Sequence, residues 1–237
     1  MRIFDLDSPI MRFMSMVADL LWLNVLALIC CLPLITAGAS LTAMHYMALK
    51  LVRGEEGNLT RGFFRSFKQN FKQSTALWLI MLLVFFILGV DVYVVHFQVV
   101  QVPKVLEVIV VIFALVVLLA STFIFPLQAK FDNPVRVTIK NAVLIGLMQS
   151  WRAIIMVALN IVPIVVLLSI RWMPLAIMFG ISAPAYFSAL VYNKYFKKLE
   201  ELIKEANGGT EEEEIDDDEK IFSDKLDEGI SINENYH

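Results

Sequence analysis

The sequence predicts an all-α fold, a polytopic membrane helical bundle of about five transmembrane helices, and two observations lead there. Hydrophobic residues make up 58% of the 237 positions and charged residues only 18%, with a mean hydropathy of +0.69. Soluble domains carry about 45–50% apolar and about 25% charged residues. One water-excluding core cannot absorb that surplus, so lipid must cover it. The second observation is segregation of charge. Acidic residues crowd into the last 33 positions, while lysine and arginine sit in short loops between apolar runs.

A helical span needs about 20 mostly apolar residues, and the membrane domain (residues 1–204) offers five such runs. The first covers 17–36 and includes Asp19 and Asn24. The second covers 75–95, and the third, 105–127, is rich in Val, Ile and Leu. The fourth, 153–170, holds Asn160 and Pro163, and the fifth, 173–192, holds Pro184. Residues 40–52 are too few to cross and read as an amphipathic helix at the interface or packed beneath the bundle. Residues 205–237 form an acidic tail in which Glu211–Glu214 and Asp216–Glu219 repel one another, so disorder is expected.

Orientation follows from the basic residues of short loops. Lys50, Arg53, Arg61, Arg65, Lys68 and Lys72 lie between spans one and two. Lys130, Arg136, Lys140 and Arg152 lie between spans three and four, and Lys194, Lys197, Lys198 and Lys204 follow span five. Only Arg2, Arg12, Lys104 and Arg171 fall on the other side. Five spans then place the N-terminus outside and the C-terminus in the cytoplasm of a multi-pass cell-membrane protein. Cleavage of a signal peptide after Ala37-Gly38-Ala39 would leave six basic residues outside, against this pattern.

Pro33, Pro126 and Pro184 each stand near the cytoplasmic half of an inward span, where proline frees a backbone carbonyl and favours a kink or break. The segments before spans two and four both end in Gln-Ser (Gln73-Ser74 and Gln149-Ser150), which hints at a duplicated hairpin. Cys30 and Cys31 are adjacent and read as packing residues, because no second pair completes a metal site. The three histidines are scattered, and nothing matches a phosphate loop, a nucleophile elbow or a zinc signature. No enzyme, cofactor, metal or nucleic-acid partner is expected.

Three intramembrane polar residues are candidates for a site. A carboxylate within a span is costly and seeks a partner or water, so Asp19 is either a substrate or proton position or an anchor between helices. Asn24 and Asn160, the latter close to Pro163, read either as interhelical hydrogen bonders or as marks of an unwound binding segment. Gly38, Thr42 and Ala43 permit close backbone approach, for internal packing or for a partner subunit such as a second copy.

The stretch Leu32-Pro33-Leu34-Ile35-Thr36-Ala37-Gly38-Ala39-Ser40, then Arg53-Gly54-Glu55-Glu56 and Phe63-Phe64-Arg65-Ser66-Phe67-Lys68-Gln69-Asn70-Phe71-Lys72, resembles the YesL family of bacterial membrane proteins. The resemblance covers about the first 80 residues. It implies an accessory role in carbohydrate import, with contacts to the permease subunits of an ABC importer. On that resemblance Pro33, Thr36, Gly38, Arg53, Gly54, Glu55, Glu56, Phe64, Phe67, Asn70 and Phe71 are the candidates for a partner-binding or fold-signature surface. The alternative is a small independent transporter or channel lined by Asp19, Asn24 and Asn160.

Overall fold

The computed structural model describes residues 9–55, 57–96, 103–168 and 173–206, and every regular element among them is a helix. Glu56, the 97–102 connection, Arg171, Trp172 and the acidic tail from residue 207 lie outside the described residues. Helices α1 (Pro9–Cys31), α2 (Ala37–Arg53), α3 (Leu59–His96), α4 (Lys104–Lys130), α5 (Val135–Met148), α6 (Ser150–Leu168), α7 (Met173–Phe179) and α8 (Ser182–Ala206) follow in order, with a 3-10 turn at Leu34–Thr36. The chain divides into two compact units, Met1–Lys194 and Tyr195–His237; of the second, the described part is the end of α8.

Three helices (α1, α3 and α4) are long and apolar enough to cross a membrane, and a fourth crossing arises if α5 and α6 together count as one bent span. The expected five spans are therefore not reached among the described residues. The fourth is joined to α5 through a bend of 103°. The fifth is interrupted at Gly180–Ile181 and splits into α7 and α8. Pro184 falls in the first turn of α8, where a missing N–H costs nothing, so it marks a start and not a kink. Pro126 corrects the opposite way. Helix α4 runs through it to Lys130, and the chain turns only at Phe131–Pro134.

Residues 40–52 are packed against other helices, none of them exposed. They belong to α2, whose Ala37–Ser40, Thr42–His45 and Met47–Leu49 are buried. Small residues make this possible. A Cβ at Gly38 would collide with the Ser74 carbonyl and the Trp78 side chain, and Gly62 sits against the Met47 sulfur. Helix α2 ends at Gly54, whose φ of +70° is a left-handed cap that only glycine adopts freely.

These contacts set the directions of the helices. Trp22 Nε1 donates to Thr60 Oγ1 at the start of α3 (2.8 Å), whereas Trp78, further along α3, donates to the Leu34 carbonyl just beyond α1 (2.9 Å). Helices α1 and α3 thus run in the same sense, with α2 returning antiparallel between them; its Ser40 hydroxyl donates to the Ala27 carbonyl of α1 at 3.0 Å. A first span running inward and a second running outward, with the N-terminus on the far side, required opposite senses. That reading is corrected, because α2 is a full return stroke and the start of α1 stands at the same end of the unit as the start of α3.

The two Gln-Ser segments are built differently, against a duplicated hairpin. Gln73-Ser74 sits inside continuous α3, while Gln149 is the break between α5 and α6. Helix α2 packs mainly on the helix that follows it, and α5 on the helix that precedes it.

Candidate functional site

The candidate residues before α3 are mostly builders of the α1–α2 turn. Pro33 breaks the helix, and the Thr36 hydroxyl shares its proton between the carbonyls of Cys30 (2.6 Å) and Pro33 (2.8 Å), the latter also accepting the Thr36 N–H. Gly38 brings α2 onto α3. At the other end of α2, Arg53 Nε donates to Asn193 Oδ1 of α8 at 3.0 Å, Gly54 caps the helix, and the exposed Glu55 closes the turn through its backbone N–H on Lys50. Helix α8 begins beside Asn24 and has passed Arg53 by Asn193, so over this stretch it follows the sense of α2.

The first half of α3 carries the aromatic candidates. Phe63, buried, stacks with Phe67 at 6.4 Å, and Phe67 meets Phe71 at 5.6 Å. Phe64 and Phe71 are partly exposed, and the exposed Lys68 and Lys72 share their row at helical spacing. Asn70 turns inward instead, donating to the Ser66 carbonyl at 3.1 Å.

Asn70 leads into a buried network that sequence reasoning missed. Gln128 of α4, 1% exposed, donates to Gln73 Oε1 at 2.5 Å and to Asn70 Oδ1 at 3.4 Å; its own Oε1 accepts from Thr138 of α5 at 2.9 Å. Thr42 and Ser74 hydroxyls pair at 2.8 Å beside it. A lone glutamine closing the apolar run of α4 was the available signal. A buried amide must find partners, and here it joins three helices.

The three intramembrane polar candidates are not brought together. Asn160 is exposed and bonds back to its own helix at the Met156 carbonyl, 2.7 Å. Asp19 is half-buried on α1. Asn24 is wholly buried and does something specific: its amide donates to the Ile177 carbonyl (2.6 Å) and accepts from the N–H groups of Ile181 (2.9 Å) and Ser182 (3.0 Å). One side chain thereby satisfies the backbone on both sides of the α7–α8 break. Nearby, Leu159, Val162 and Pro163 of α6 face Phe179, Gly180 and Pro184 across a groove of about 210 Å³, with an apolar wall.

His45 of α2 is buried with its ring 6.2 Å from that of Tyr192, and its Nδ1 has no hydrogen-bond partner. Among the described residues no three His, Cys, Asp or Glu side chains stand close enough to hold a metal ion.

The segment that contains the α1–α2 turn, Gly54 and the aromatic row is also the one that matches a known family model. Residues 17–92 are similar to the family described as "Protein of unknown function, DUF624". The DUF624-like segment takes in most of α1, all of α2 and most of α3; it leaves out Gln128 and Thr138, and the backbone that Asn24 satisfies. No curated protein and no solved structure matches the chain.

Proposed function

We propose that this chain is an integral membrane accessory protein, without chemistry of its own, that docks through the first half of α3 onto the permease subunits of a carbohydrate ABC importer. One observation carries the reading: the division of side chains on α3. Ser66, Asn70, Gln73 and Ser74 turn inward into packing, while Phe64, Lys68, Phe71 and Lys72 share an outward row. Exposed aromatics flanked by cations supply binding energy at protein interfaces. A polar substrate would need a polar passage, and the groove beside α6 is apolar. The carbohydrate importer as partner rests on the YesL resemblance, carried by residues inside the DUF624-like segment.

Sidedness belongs to the same proposal. The basic residues around Arg53 and at the start of α3 mark the cytoplasmic side. The start of α1 shares that side because α1 and α3 run in one sense, and so does the Lys194 end of α8's first stretch. A photo-crosslinking residue in place of Phe64 or Phe71, activated in native membranes, tests the docking. Adducts with permease subunits, reduced at least tenfold by K68E/K72E, support it. Adducts only with lipid or with the chain itself overturn it.

A further inference from the structure

Helix α5 has an outward row whose character changes along its length. Arg136 and Lys140 are exposed near its start, Leu144, Leu147 and Met148 near its end, and Trp151 follows at the corner with 74% exposure. Spacings of three and four residues align them. The opposite face is fixed inward: Thr138 bonds Gln128, and Gly146 lies against the backbone of Leu119 and Ala120 so closely that a Cβ would meet it at 3.1 Å. The cationic end therefore stands beside the last turns of α4, and the apolar end beside the point where α4 side chains change from buried to exposed. At Gln149 the chain bends by 103° into α6, so the row ends in a corner.

We infer that α5 and the α5–α6 corner form a lipid-binding edge: Arg136 and Lys140 hold the headgroups of anionic phospholipids, and Leu144, Leu147, Met148 and Trp151 enter the acyl layer. Charge complementarity selects the occupant. Two cations precede a patch of large apolar side chains that water would not cover favourably. Trp151 ends the row with 74% of its surface exposed, a large ring that lipid covers more favourably than water. Lys140 and Leu147 are seven residues apart, about 10 Å along a helix, enough to separate a headgroup contact from an acyl-chain contact. Basic groups at the cytoplasmic surface are attracted to anionic headgroups. A soluble acidic partner would satisfy Arg136 and Lys140 but leave the corner bare. This inference does not rest on the docking of α3.

The test uses the full chain, purified in mild detergent and offered equal amounts of phosphatidylglycerol and phosphatidylcholine, with retained lipid counted by native mass spectrometry. R136Q/K140Q is expected to lower retained phosphatidylglycerol by roughly tenfold and leave phosphatidylcholine unchanged, while K197Q/K198Q retains both. In vesicles with brominated acyl chains, W151F is expected to remove a large share of the quenchable fluorescence. Unchanged phosphatidylglycerol in R136Q/K140Q, an equal loss in K197Q/K198Q, or quenching unaffected by W151F overturns the proposal.

Discussion

The two halves of α3 differ more than many separate helices do. In the first half Phe63, Ser66, Ser74 and Leu77 are buried, against α2 and α4 among others. In the second half Leu83, Phe86 and Val92 are 60%, 70% and 59% exposed. Helix α4 repeats the contrast in reverse order, from exposed Val105–Phe113 to buried Phe123–Gln128. The most apolar stretch of α3 is thus the least covered by protein. In a soluble domain the apolar run would be the core. Here it is left bare, as a helix facing lipid would be, and the packed base is made from smaller and more polar residues that let helices approach closely and bond.

Substitutions at the base should be costly and those in the bare half mild, and Gly38 offers the hardest test. Gly38→Val would drive a branched side chain into Ser74 and Trp78, and the α2–α3 pair is expected to lose about 3 kcal/mol or more; unfolding in detergent by thermal or denaturant titration reads it. Asn24→Leu leaves one carbonyl and two N–H groups inside the protein without partners, at about 3 kcal/mol by the same measurement. If that variant is as stable as the parent, the amide is not what holds the α7–α8 break.

Gln128→Leu, which removes the amide that Thr138, Gln73 and Asn70 bond, is expected to cost about 2 kcal/mol. Leu83→Ala, in the bare half, should change the stability of the isolated chain by less than about 0.5 kcal/mol. A larger loss that appears only in native membranes would reveal a protein neighbour covering that surface.

Composition and run length made the helical, membrane-type architecture legible, and the break at Pro33 with its small-residue exit was legible too. The direction of α1 was not. Ala37–Arg53 is a return stroke by virtue of where Gly38, Ser40 and Thr42 touch α1 and α3, and span-length counting sees only that it is short. Of the candidate residues, Thr36, Gly38 and Gly54 proved to be turn and packing devices, and Phe64 and Phe71 remained outward. Asn24 was visible as an unusual residue, but its task depended on backbone groups 153 to 158 residues downstream. Gln128 was overlooked because an amide at the end of an apolar run resembles a boundary.

That distance also bears on how the protein is made. Asn24 is synthesised long before Ile177, Ile181 and Ser182. For most of translation its amide therefore lacks the three backbone groups it bonds in the finished fold, while the contacts of Trp22 with Thr60 and of Ala27 with Ser40 are available early.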